Sequence, residues 1–329
     1  MTHGQPCQSV PAPAGARGPA LAGFFVFALL CLAGCATPQF TALTDAWPAD
    51  VPDQAQVDNV PFFAQADYQC GPAALAMVAQ QAGASVTPEQ LVAQVYLPGR
   101  QGSLQPEMLA ATRRQALVAY PLAPELNALL RELAAGNPVL VFQNLSLPIY
   151  PLWHYAVAIA YDRGRSELVL HSGTTERLVM SFATFERTWA RGGHWAMLAL
   201  PTHRLPATAT PDAYAGAVAT LERTHPAAAQ AAYTTALQAW PQHRALLLGS
   251  GNAAYALGQR AEAAQAYEAA ATVDPDFADA WNNLAQVRLE LGLPTQASEA
   301  IARAVALGGP REARYRDLQQ KINEIGIKP

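Results

Sequence analysis

The sequence is poor in charge: Asp, Glu, Lys and Arg make up 14% of its 329 residues and leave a net charge of −4. With no basic excess to neutralise phosphates, nucleic acid is excluded as a partner class. Cysteine is scarce as well. Of the four cysteines, Cys7, Cys31 and Cys35 crowd into the N-terminal segment and only Cys70 lies beyond it. What remains holds no Cys/His set at metal-ligand spacing and no Gly-rich phosphate loop, so the sequence implies neither a metal nor a cofactor. Long apolar runs are missing too. The run Ala20–Leu32 is too short and too poorly flanked to read as a spanning helix.

That run is preceded by a single charged residue, Arg17, and ends in Leu32-Ala33-Gly34-Cys35. It reads as an export signal. The tetrapeptide resembles the bacterial lipobox, which implies cleavage before Cys35 and lipidation of its thiol. Residues 1–34 are then a lipoprotein signal peptide and 35–57, polar and proline-containing, a lipidated tether. A plain signal peptide or an anchor helix is the alternative. Ala36, rather than aspartate, implies an outer-membrane lipoprotein of the bacterial cell envelope that faces the periplasm. Processing removes Cys7 and Cys31 and blocks Cys35, which leaves Cys70 as the free thiol of the mature chain. In an oxidising compartment a lone cysteine is either inert and buried or reactive.

Cys70 lies in Gln65-Ala66-Asp67-Tyr68-Gln69-Cys70-Gly71-Pro72-Ala73-Ala74-Leu75-Ala76-Met77. Pro72 suits a first helical turn, and the alanine-rich run after it predicts a helix to about Gln81, ended by Gly83. Cys70 is therefore expected at a helix start, where orphan N–H groups favour an anion and lower a thiol's pKa. Further helices are predicted from Thr87-Pro88 to about Val95, over 105–116 and over 125–135. Short β-rich runs then follow at 138–142, 154–161, 167–171 and 194–200, with a helix over 182–189 before the last. Helices first and antiparallel strands second describe an α+β domain, placed at 58–203.

From residue 210 to the C-terminus the chain repeats. Pro241 and Pro275 are 34 residues apart, with Gly309-Pro310 at the next interval. Tyr233, Tyr267 and Ile301 share one phase; Ala236, Ala270 and Ala304 share a second; Ala229, Ala263 and Ala297 share a third. This period resembles the tetratricopeptide repeat, and about three units over 210–329 form an all-α solenoid whose concave surface suits a protein partner.

A cysteine nucleophile needs a base, usually a histidine that the fold brings close. Within the α+β domain the choices are His154, His171 and His194, and His154 opens the most β-prone strand. The cysteine block, followed about 80 residues later by His154-Tyr155-Ala156-Val157-Ala158, resembles the papain-like double-glycine leader peptidases, known as bacteriocin-processing domains. The resemblance implies a papain-like cysteine peptidase domain acting on peptide or protein substrates. Cys70 would be the nucleophile, His154 the general base and Gln65 the oxyanion donor. The family carries an aspartate where this chain reads Val169-Leu170-His171-Ser172-Gly173, so Ser172 or His171 stands near the third position, with Asn144 as another orienting group. The expected function is a lipid-anchored cell-envelope cysteine peptidase working by thiolate acyl transfer, its repeats holding partner or substrate. A weak or inactive peptide-binding scaffold, or a thiol-dependent amidase or transferase, are the alternatives.

Overall fold

The computed structural model describes residues 37–65 and 69–326, so the signal segment and Cys35 lie outside the described residues. The expected tether is the first difference. From residue 38 on, it is packed structure rather than a free linker. Helix α1 (Pro38–Asp45) and strand β1 (Gln54–Gln56) bracket Trp47, whose ring lies 6.0 Å from that of Tyr161. The N-terminal N–H groups of α1, at Gln39 and Phe40, donate to the Glu186 carboxylate at 2.9 and 2.7 Å. A distant carboxylate thus meets the orphan donors that local sequence leaves open.

Helix α2 (Cys70–Gln81) is apolar on all sides, and Gly71 through Ala79 are buried. That pattern belongs to a central helix rather than a surface one. Helix α3 (Pro88–Val95) starts in a capping box: Thr87 N–H donates to Gln90 Oε1 at 2.9 Å, and Gln90 N–H donates back to the Thr87 hydroxyl at 3.4 Å. Helix α4 (Gln105–Arg114), strand β2 (Val118–Pro121) and helix α5 (Leu126–Ala134) lead into the main strands.

Those strands are β3 (Val139–Asn144), β4 (Trp153–Asp162), β5 (Glu167–Ser172) and β6 (Thr175–Ser181), then helix α6 (Phe182–Arg191) and β7 (Ala196–Leu200). Among the described residues they form one antiparallel sheet in the order β2-β7-β3-β4-β5-β6, with β1 on the far half of β4. The inner strands of the sheet are buried on both faces, and their side chains sort by the period of two. Leu140, Tyr155, Val157, Ile159, Met197 and Ala199 face α2. Val139, Val141, Ala156, Ala158, Leu198 and Leu200 face α5 and α6.

The rest is helical: α7 (Pro211–Ala219), α8 (Pro226–Ala239), α9 (Arg244–Ala256), α10 (Arg260–Val273), α11 (Ala278–Glu290), α12 (Pro294–Leu307) and α13 (Glu312–Gly326). The repeated alanines and Tyr233, Tyr267 and Ile301 are all buried between the helices. Gly249 and Gly251 allow the closest approach. A Cβ at Gly251 would stand 2.5 Å from the Tyr267 ring, so a side chain there forces the helix pair apart. The solenoid is continuous with the sheet domain. Tyr214 of α7 packs on Tyr120 of β2, with ring centroids 6.5 Å apart, inside one shared core. The buried Glu132 carboxylate also accepts from Ala207 N–H, Thr208 N–H, the Thr208 hydroxyl and the Asn137 amide. A buried carboxylate with that many donors holds the junction in one geometry.

Candidate active site

Cys70 is the first residue of α2 and its thiol is half-buried and unpaired. The close seat of the helix start depends on Gly71. A Cβ there would stand 2.7 Å from Ser103 Cβ, which no side chain accepts without displacing the 97–104 loop. Gly71→Ala is expected to lower stability by ~1–3 kcal/mol, as overpacking does. Thermal melting of the variant checks this, and an unchanged Tm would contradict the tight seat.

The Cys70 thiol faces the backbone N–H of Tyr155, the third residue of β4, together with the N–H groups of Gly71 and Cys70 itself. Its pKa is nevertheless raised, because burial outweighs those donors. This corrects the expectation from helix position alone: the helix start supplies N–H groups, but packing beneath β4 removes the water a thiolate needs.

His154, one residue before Tyr155, is hydrogen-bonded through Nε2 to the Ser172 hydroxyl at 2.9 Å. That contact occupies one ring nitrogen and leaves Nδ1 without a protein hydrogen bond among the described residues. Burial pushes the His154 pKa down to about 4. Each group therefore rests neutral near pH 7, the thiol as the thiol and the imidazole as the free base.

Gln65 is held by its backbone N–H, which donates to Gly173 O at 3.1 Å, immediately after Ser172. Its side-chain Nε2 is buried with no hydrogen-bond partner among the described residues. A buried donor without an acceptor is costly unless a ligand supplies one. Gln65, Cys70, His154 and Ser172 are thus gathered around the first residues of β4 and the end of β5.

The other candidates go elsewhere. His171 turns its Nδ1 to Glu176 O and its Nε2 to Val60 O, and its ring packs against Phe62 at 5.3 Å. It fastens the 60–62 segment to the β5–β6 turn rather than orienting His154. Asn144 accepts from Ser146 N–H and Leu152 N–H at 3.0 and 2.9 Å, which organises the β3–β4 loop rather than the imidazole. His194, at φ 52°, meets the Trp189 ring edge-on at 4.9 Å. Burial lowers the pKa of both His171 and His194.

These histidines set a pH dependence. A folded pKa below the unfolded value of about 6.5 means that the unfolded chain takes up the proton first as pH falls. The stability is full above pH ~6.5 and is lost on the way down to about pH 4, where the folded His154 ring protonates. His154 alone accounts for a loss on the order of 3 kcal/mol. Tm should fall between pH 7 and 4.5, and His154→Asn should flatten that fall. An equally steep fall in the variant would contradict the buried neutral ring.

A cysteine at the start of a central helix, a histidine on the facing strand and a helical-pair solenoid together define a papain-like α+β domain joined to a repeat array. Residues 57–197 match the Peptidase_C39 like family, residues 214–264 match the tetratricopeptide repeat and residues 251–292 a TPR repeat. The chain carries a C39-like peptidase domain followed by TPR repeats. A protein described as a putative C39-like peptidase from Bacillus anthracis is similar over 45% of this chain and 98% of its own, at 18% identity and a TM-score of 0.39. The Sgt2 TPR domain from Aspergillus fumigatus is similar over 36% of this chain and 84% of its own, at 27% identity and a TM-score of 0.32. The Yersinia enterocolitica secretion chaperone SycD, solved with a peptide of the translocator YopD, is similar over 33% and 92%, at 17% identity and a TM-score of 0.31. No curated protein matches the chain.

Proposed function

We propose that the protein is a cysteine peptidase that cleaves peptide bonds by acyl transfer to Cys70. The observation that carries this reading is the gathering of a thiol, a Ser-oriented imidazole and an unpartnered buried amide donor at one end of the sheet. In the first step the Cys70 sulfur attacks the scissile carbonyl while His154 Nδ1 takes the thiol proton. Gln65 Nε2–H and the Cys70 backbone N–H hold the oxyanion. His154 then gives the proton to the departing amine, and water, deprotonated by the same ring, releases the acyl group and restores the thiol. Ser172 acts as a positioning residue that fixes the ring through Nε2.

The repeats would hold a protein partner or part of the substrate. Between α9, α11 and α13 lies a cavity of about 550 Å³, lined by Asn252, Asn282, Asn283 and Gln286 with Arg314 and Lys321 on its wall. Asn282 Oδ1 is buried there without a hydrogen-bond partner among the described residues, an acceptor that a peptide N–H would satisfy. Lipidation at Cys35 and attachment to the outer membrane, facing the periplasm, complete the proposal. Since α1 begins at Pro38, such an anchor leaves only a few residues of chain between lipid and helix.

The reading is tested with the full chain and a peptidyl acyloxymethyl ketone, followed by mass-spectrometric mapping of the adduct. Modification at Cys70 is the expected result. Exclusive modification elsewhere, or none, overturns it.

A further inference from the structure

The loop between β3 and β4, Leu145-Ser146-Leu147-Pro148-Ile149-Tyr150-Pro151-Leu152 leading into Trp153, carries no charged residue. It exposes large apolar side chains at a density found nowhere else among the described residues. Ile149 and Tyr150 are each 76% exposed, Leu147 61%, Leu152 59% and Trp153 50%. Scattered exposed apolar residues need no explanation, but a contiguous patch marks a binding surface.

The loop is also held by hydrogen bonds of its own backbone. Asn144 Oδ1 receives two of its N–H groups, Leu145 N–H donates to Leu152 O at 2.9 Å, and Tyr150 N–H donates to Leu147 O at 3.1 Å. Arg191 Nε donates to Asn144 O at 3.2 Å and ties the loop base to α6. The apolar side chains are therefore presented in a fixed arrangement. They also continue into the site. Trp153 stacks on Phe142 at 5.2 Å, and Phe142 meets Tyr155 at 4.7 Å, the residue whose N–H faces the Cys70 thiol. The patch ends where His154 begins.

The chemistry says which part of a substrate passes here. In acyl transfer the departing amine must receive its proton from the general acid, so the residues after the scissile bond lie on the imidazole side. We infer that the β3–β4 loop is a subsite for those residues, and that it selects an apolar side chain immediately after the bond that is cut. The inference rests on the cysteine-peptidase reading and adds to it a side and a chemical class.

Aminolysis tests it whatever the cleavage sequence is. A peptide phenyl thioester acylates Cys70: its carbonyl carbon forms a bond to sulfur, thiophenolate leaves, and the thiol proton passes through His154 to it. An added amino-acid amide then attacks the acyl-enzyme from the side the leaving amine would occupy, forms a peptide bond and returns the thiol. Leucine and phenylalanine amides should capture the acyl group about tenfold or more better than serine or glycine amides, measured as aminolysis relative to hydrolysis. In Ile149→Ser/Leu152→Ser, whose folding is checked by its melting curve, that ratio should fall to within about twofold among the acceptors. The single variants Ile149→Ser and Leu152→Ser should each lose part of it. Thioester turnover with no acceptor preference overturns the subsite and leaves the peptidase reading standing. No turnover of the thioester overturns both. A flat preference accompanied by loop-dependent sedimentation with phosphatidylglycerol vesicles would assign the loop to a bilayer and overturn the subsite as well.

Discussion

Cys70→Ala is expected to abolish acyl-enzyme formation completely, and His154→Ala to slow it by about 10²–10⁴-fold at pH 7.5. The magnitude for His154 follows from the resting protonation states of the two groups. Burial holds the thiol above its ordinary pKa and the imidazole down at about 4. Thiolate is therefore scarce near neutrality, and attack depends on a base that removes the proton as the sulfur–carbon bond forms. A pre-formed ion pair would behave differently, since its thiolate persists well below pH 7. In this protein modification of Cys70 by iodoacetamide, which engages no subsite, should rise about tenfold per pH unit through pH 6–9, without an acidic plateau. The peptidyl electrophile should show the larger dependence on His154, because only its carbonyl carbon is attacked by sulfur and places an oxyanion before the Gln65 donor, whereas iodoacetamide reacts by displacement at CH2. Equal rates in wild type and His154→Ala would remove the dyad. Gln65→Ala offers a third measurement: loss of one oxyanion donor should cost about 10²–10³-fold in the rate of acylation, with little change in iodoacetamide modification.

Much of this site is legible in the sequence because its chemistry sits on local signals. The Cys70-Gly71-Pro72 start and the alanine-rich run predict a helix from about Gly71 to Gln81 with the cysteine at or just before its start, and the helix occupies Cys70–Gln81. The β-prone stretch from His154 becomes β4, and the 34-residue phase predicts which alanines and tyrosines are buried in the solenoid. What escapes the sequence depends on contacts made at long range. The segment 38–56 reads as a tether because its helix is capped by Glu186, 147 residues away from Gln39. Strand β2 is only four residues long, and β6 runs from three polar residues into Leu178-Val179-Met180 with no period-two alternation and no fully buried position. Neither is strong enough to read alone. The direction of the thiol's shift is hidden for the same reason: helix position is local, whereas burial under Tyr155 belongs to the tertiary packing. The two candidates at the third position are not separable by spacing, because which of two adjacent strand residues faces the site depends on register. Geometry separates them, with Ser172 on the imidazole and His171 on two carbonyl oxygens.

A hydroxyl beside the imidazole orients the ring but adds no negative charge, and Ser172→Asp is expected to turn that weakness into a gain. A carboxylate at this position, accepting from Nε2–H, favours the charged imidazolium and should raise the His154 pKa by about 1–3 units. Protonated His154 in turn stabilises a thiolate at Cys70, so the fraction of reactive sulfur near neutrality increases. The rate of Cys70 acylation at pH 6 should rise about 10–100-fold, one factor of ten for each unit of the shift that reaches the thiol. The iodoacetamide profile should acquire the acidic plateau that wild type lacks. The stability effect has a fixed sign. With the folded His154 pKa moved back toward or above 6.5, the unfolded chain no longer binds the proton preferentially, and the fall in Tm between pH 7 and 4.5 should shrink. Ser172→Ala removes the hydrogen bond without supplying charge and should cost less than about tenfold, consistent with a single neutral contact. A Ser172→Asp protein that folds, yet keeps the wild-type pH profile and rate, would show that residue 172 does not act through the His154 ring.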